Sequence, residues 1–197
     1  MYKVGITGGM GSGKTSVCMV FETLRIPVYY ADTRAKQLMN TDFELKAVLE
    51  EYFGKDIYEN GILQRNKLAE IIFNDTLALE KVNSLVHPAV ARDFEYWCTL
   101  QTSPYVLEEA AIIFETGLAQ RFDQVILVTA PEQIRIERVC ARDRSSPEVV
   151  RKRMNLQWPE EKKIALANFI IYNDNEHAII PQVMNFHNNL LSNKLIN

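Results

Sequence analysis

The twelve residues 5–16, "GITGGMGSGKTS", hold five of the chain's eight glycines and lead straight into a lysine and two hydroxyls. Glycine loses more conformational freedom on folding than any other residue, so such a cluster is useful only where the backbone must go where a Cβ cannot. Gly8, Gly9, Met10, Gly11, Ser12, Gly13, Lys14 and Thr15 fit G-x-x-x-x-G-K-[ST]. The run before them, "KVGIT" (3–7), is β-rich, and from Lys14 the apolar residues Val17, Val20, Phe21 and Leu24 recur at helical spacing. A glycine loop between a strand and a helix lets phosphate oxygens approach main-chain N–H groups, and the helix N-terminus adds the positive end of its dipole. Lys14 is spaced to reach β- and γ-phosphates and the Thr15 hydroxyl to ligate Mg²⁺, with Ser16 one residue further along the helix. The expected ligand is ATP with Mg²⁺.

The rest of the chain predicts an α/β fold. "PVYYA" (27–31), "YVLEEA" (105–110), "QVILVTA" (124–130) and "FIIYN" (169–173) are short, nearly continuous apolar runs separated by helical or loop sequence. That alternation predicts a parallel sheet covered on both faces. Between the second and third runs lie about seventy residues with little strand character. Stripes at Leu45, Val48, Leu49, Tyr52, at Leu68, Ile71, Ile72 and at Leu79, Val82, Leu85, Val86 predict helices there, punctuated by an Asn60-Gly61 turn and a break at His87-Pro88.

Composition narrows the setting. A net charge of −3 predicts neither a nucleic-acid nor a membrane partner, and no uncharged apolar run approaches the ~18 residues needed to span a bilayer. Cys18, Cys98 and Cys140 are odd in number and far apart, which predicts reduced thiols rather than a metal site or a disulfide frame. The N-terminus reaches glycine too early for a signal peptide, so a cytoplasmic location is expected, as a monomer or weak homo-oligomer.

A phosphate loop by itself does not separate a kinase from a switch or a motor. The guanine-reading N-K-x-D pattern is absent. Three features favour phosphoryl transfer to a small acceptor. Asp32 closes the second strand candidate; it is a general base if that strand neighbours the first, or a cap for a helix beginning near Thr33, and the residues leave both open. Seven of the 22 lysines and arginines fall between 135 and 153, with Arg135, Arg138 and Arg142 on one helical face. They fit either a closing lid or a solvated basic face. Ser145 and Glu148 form a capping-box pattern beside Pro147, predicting a further helix. The helical insert is long enough to wall an acceptor pocket. His87 is expected to be a structural histidine, while Glu108 or Glu109 could hold a metal-bound water.

Taken in order, "GITGGMGSGKTSV", "VYYADTRAKQLM", "YFGKDI…NGILQRNKLAEIIF", "LVHPAV", "IIFETGL", "RDRSSPEVVRKRMNLQ" and "ANFIIYND" resemble the dephospho-CoA kinases over nearly the whole chain. The resemblance implies a nucleoside-monophosphate-kinase-like three-layer α/β/α core of 1–32, 104–142 and 159–197. It adds a helical CoA-binding insert at 33–103 and a helical lid at 143–158. It also implies transfer of the ATP γ-phosphate to the ribose 3′-hydroxyl of dephospho-CoA, with Asp32 as catalytic acid-base group. Arg138 and Arg142 would contact phosphate from the lid side, Asn173 would lie near adenine, and Arg65 and His87 would serve the acceptor. The alternatives are another small-metabolite kinase or a non-catalytic nucleotide switch. Departures from the family pattern are Tyr30 before Ala31-Asp32, Ala111 where proline is usual, Asn168 after Ala167, and Arg25 where a helix-ending glycine is common. A left-handed Arg25 would cost about 1 kcal/mol.

Overall fold

The computed structural model describes residues 1–194; the last three positions of the expected core, 195–197, lie outside the described residues. The chain divides into two compact units, Met1–Tyr29 with Gln101–Asn197, and Tyr30–Leu100.

The first unit is organised by a sheet. Strand β1 (Tyr2–Thr7) is followed by helix α1 (Lys14–Thr23) and strand β2 (Val28–Tyr30). Past the second unit come β5 (Tyr105–Glu109), β6 (Gln124–Thr129), α6 (Glu132–Asp143), α7 (Pro147–Met154), α8 (Glu160–Leu166), β7 (Phe169–Tyr172) and α9 (Ile179–Lys194). The strand order is β2-β5-β1-β6-β7. β1 pairs in parallel with both β5 and β6, and β6 in parallel with β7. The strands read as continuous apolar runs because both faces are covered: Val4, Ile6, Leu107, Ile126 and Leu127 are fully buried. α1 packs against α9, where Phe21, Tyr105 and Phe186 meet edge to face.

Strand order corrects one premise. β2 does not neighbour β1; β5 lies between them. A second correction concerns Asp32. Helix α2 (Ala31–Thr41) starts at Ala31, with Tyr30 as its N-cap, so Asp32 sits inside the first turn and is not the cap.

α1 ends on a left-handed residue. Arg25 is left-handed at φ 61, with its N–H donating to Glu22 O at 2.9 Å and the Ile26 N–H to Phe21 O at 3.1 Å. That pair of bonds is a Schellman closure, usually built on glycine.

The second unit holds α2, α3 (Phe43–Phe53), a hairpin of β3 (Tyr58–Glu59) and β4 (Ile62–Leu63), α4 (Arg65–Asn74) and α5 (Thr76–Thr99). The hairpin is a strand pair where only a turn was expected. Asn60 (φ 51) and Gly61 (φ 80) are both left-handed, the geometry of a two-residue type I′ turn. The expected break at His87-Pro88 does not occur: α5 runs through Pro88, which is exposed. Proline removes one helical hydrogen bond, and on the exposed face water can satisfy the carbonyl left over. Arg34 of α2 grips Asp93 of α5 through two bonds of 2.8 and 2.6 Å.

Candidate active site

β1 delivers the chain to residues 8–13 at the carboxyl edge of the sheet, where ligands of open α/β folds collect. Gly8 is pressed against β6: a Cβ there would overlap the Val128 carbonyl oxygen. Gly13, the N-cap of α1, is left-handed at φ 86, and a Cβ on it would strike the Asn173 amide. Both positions therefore demand glycine, which accounts for the clustering. Lys14 Nζ donates to Gly8 O at 2.9 Å and lies 3.8 Å from Glu109 Oε1 at the end of β5. Thr15 and Ser16 are exposed on the first turn of α1. The Cys18 thiol is buried one turn on, and burial reinforced by the Glu109 charge pushes its pKa up, so it stays a protonated, unreactive thiol.

Three side chains from distant sequence close on this loop. The Met10 N–H donates to Gln157 Oε1 at 2.9 Å. Asn173 Nδ2 donates to Ser12 O at 2.8 Å. The Arg135 guanidinium lies against Gly9 and pairs with Glu160 at 3.3 Å, both largely buried. Arg138 is bound to the segment after β7, donating to Asn173 O at 2.9 Å and to Asn175 Oδ1 at 2.8 Å.

Arg142 is exposed and donates to Asp143, as does Arg153 at 2.9 Å; these bonds hold the Asp143 carboxyl at about 2. α7 is capped at Ser146 rather than Ser145, whose hydroxyl donates to Asp143 O. A cavity of about 790 Å³ opens at the carboxyl ends of β6 and β7, lined by Thr129, Arg135, Trp158, Glu160 and Tyr172 among others.

Behind the loop, Lys163 of α8 is fully buried and pairs with Glu115 at 2.9 Å, and Glu115 also accepts from the Trp158 N–H at 3.3 Å. Glu109 reaches Lys14, whereas Glu108 is buried within the sheet.

The second unit carries the remaining expected residues. Asp32 is exposed near the start of α2, and Arg65 is exposed as the first residue of α4. His87 is half-buried on α5; burial holds its pKa below the ordinary imidazole range, partly offset by the Asp32 charge, which places these two within electrostatic reach. Below that range the imidazole is neutral at pH 7.

Gln157, Glu160, Glu115 and Lys163 were given no role from sequence, and Arg135 was singled out only as part of a basic helical face. Arg135 alone carried a signal, sharing a helical face with Arg138 and Arg142. The others acquire meaning only where the fold puts them.

The dephospho-CoA kinase family model matches residues 2–178. The chain belongs to the dephospho-CoA kinase family. A dephospho-CoA kinase of Porphyromonas gingivalis is 44% identical over 185 residues, 93% of this chain and 92% of that protein. A crystal structure from Thermus thermophilus superposes with TM-score 0.82 at 31% identity, over 94% of this chain and 95% of that one. The structure of a Campylobacter jejuni dephospho-CoA kinase, at 23% identity and TM-score 0.71 over 98% of each chain, shares the fold. The expected three-layer α/β kinase fold is therefore the observed one. Among the described residues no helix is long and apolar enough to cross a membrane.

Proposed function

We propose that the chain transfers the γ-phosphoryl group of ATP to the ribose 3′-hydroxyl of dephospho-CoA, giving coenzyme A and ADP in the last step of coenzyme A synthesis. The observation that carries this is a phosphate loop of the G-x-x-x-x-G-K-T type, with Lys14 beside it, in a member of this family. The main-chain amides of residues 9–15 hold the β- and γ-phosphates and Lys14 bridges them, leaving its internal partner Gly8 O. The bond from the γ-phosphorus to the β–γ bridging oxygen breaks, the bond to O3′ forms, and the hydroxyl proton passes to Asp32, a role that rests on the family resemblance and not on strand adjacency.

The exposed Thr15 hydroxyl and the Glu109 carboxylate are hard oxygen donors of the kind Mg²⁺ takes, Glu109 through water. Mg²⁺ there would neutralise charge on the phosphates. Residues 143–158 act as a lid, with Arg138 and Arg142 adding charge from its base; for Arg142 this requires release from Asp143. Asn173 borders the adenine. Arg65 and His87 serve the acceptor from the helical unit, His87 as a neutral hydrogen-bonding group. The enzyme works in the cytoplasm.

A coupled assay of ADP release tests the reading. Dephospho-CoA should stimulate turnover, while nucleoside monophosphates, gluconate and shikimate should not. Stimulation by one of those others alone, or by none of the four, would overturn it.

A further inference from the structure

The contact between Gln157 and the phosphate loop joins two segments 147 residues apart; Gln157 ends the "RDRSSPEVVRKRMNLQ" stretch, but the resemblance assigns it no role. We propose that Gln157 is a positioning residue for the donor. Its carboxamide oxygen holds the Met10 N–H until a phosphoryl oxygen takes that N–H, and the carboxamide then turns to donate to the same phosphoryl group. This rests on the loop being the donor site.

Four observations support it. First, the partner is a main-chain N–H, which can only donate, so the atom facing it is the carboxamide oxygen. Second, Met10 is held independently of that bond: its side chain packs on the buried cluster of Ile136, Val139 and Val150, together with Met154. Met10 therefore has an anchor besides that bond, and the partner proposed to change is the glutamine. Third, Gln157 lies at the carboxyl-terminal edge of the proposed lid, where the backbone is anchored on both sides. Its N–H donates to Met154 O at 3.0 Å, the next N–H donates to Glu115, and Lys163 and Glu160 pin the following helix onto Glu115 and Arg135. At this edge of the lid the side chain can turn without the backbone, because its terminal torsion is soft.

Fourth, the chemistry of the exchange is directional. One N–H serves one good acceptor, and an anionic phosphoryl oxygen is roughly twice as strong an acceptor as a neutral amide oxygen. A displaced glutamine needs only a half-turn about its last torsion to present Nε2–H₂ to the incoming oxygen. Glutamate would keep the acceptor, lose the donor and set a negative charge against the phosphate. Alanine would leave the Met10 amide without its side-chain partner.

The test is an NMR titration of the whole protein with β,γ-methylene-ATP, alongside steady-state kinetics. In the wild type, the Gln157 side-chain amide resonances should shift on titration. In Gln157→Ala, exchange of the Met10 amide without nucleotide should quicken about tenfold or more, and match the wild type once the analogue is bound. In Gln157→Glu, the KM for ATP should rise at least about tenfold while kcat changes less than about threefold.

Equal Met10 exchange in Gln157→Ala and wild type, or a KM in Gln157→Glu within about twofold of wild type, would overturn the proposal. The same titration judges the underlying reading separately. If the amides of Gly11 to Thr15 do not respond to the analogue, the donor site is elsewhere. If they respond and Gln157 does not, only the present inference fails.

Discussion

The candidate functional residues of the two units are built in different ways. In the sheet unit the phosphate loop is a backbone device: glycines at positions that exclude a Cβ, then a helix N-terminus, all within sixteen residues of the start. In the helical unit, the residues proposed to act, Asp32, Arg65 and His87, are side chains on three separate helices. The first kind of site is written as a pattern of residue types at fixed spacing. The second exists only as a tertiary arrangement, and its residues look locally like any acid, base or half-buried histidine. The lesson is that a backbone site constrains its own sequence, while a side-chain site constrains only the fold that assembles it.

The largest effect should come from splitting the two. Asp32→Asn should lower kcat by about 10²–10⁴-fold with ATP affinity close to wild type, measured by steady-state kinetics and calorimetry. A large loss of ATP affinity in that variant would break the division between the units. Within the sheet unit, the Lys163–Glu115 pair is buried, and removing one partner strands a charge. Lys163→Met should cost about 3–5 kcal/mol in denaturant unfolding, and Lys163→Met with Glu115→Gln should recover much of it. Unchanged stability in the single variant would mean that water reaches Glu115.

Smaller effects sharpen the same contrast, because they probe backbone rules outside the site. Arg25 is left-handed in a closure that favours glycine. Arg25→Gly should raise stability by about 1 kcal/mol in chemical denaturation. A decrease would show that the arginine side chain contributes more than its backbone strain costs. The smallest effect concerns Asp143, whose carboxyl is held at about 2 against an ordinary 3.8 by hydrogen bonds from Arg142 and Arg153. A depressed carboxyl contributes stability above its ordinary value and loses that contribution as pH falls through the folded one. Melting temperatures should therefore show a small decline between about pH 4 and 2 that Asp143→Asn removes. Solvent screening keeps this decline slight.

Much of the fold was legible because the buried strands are continuous apolar runs and the covering helices keep a periodic stripe. Misreadings fell where a local rule met a tertiary exception. The hairpin at Tyr58–Leu63 has strands of two residues, too short for any alternation to register, although Asn60-Gly61 carried the turn. Pro88 normally ends a helix, but on an exposed face α5 tolerates it. The position of β2 beyond β5 is a matter of strand order, which apolar runs do not encode. For the candidate site, residues 8–15 stand out in the sequence as a pattern of residue types at fixed spacing. Gln157, Glu160 and Lys163 do not, since their partners Met10, Arg135 and Glu115 are 25 to 147 residues away.

The central claim is that main-chain amides and Lys14 bind the polyphosphate of the donor. Calorimetry of ATP, ADP, AMP and adenosine against wild type and Lys14→Ala addresses it most directly. Affinity should climb with each phosphate in the wild type, and that gradient should flatten in the variant. Adenosine binding as tightly as ATP, or a gradient that survives the loss of Lys14 intact, would contradict the account.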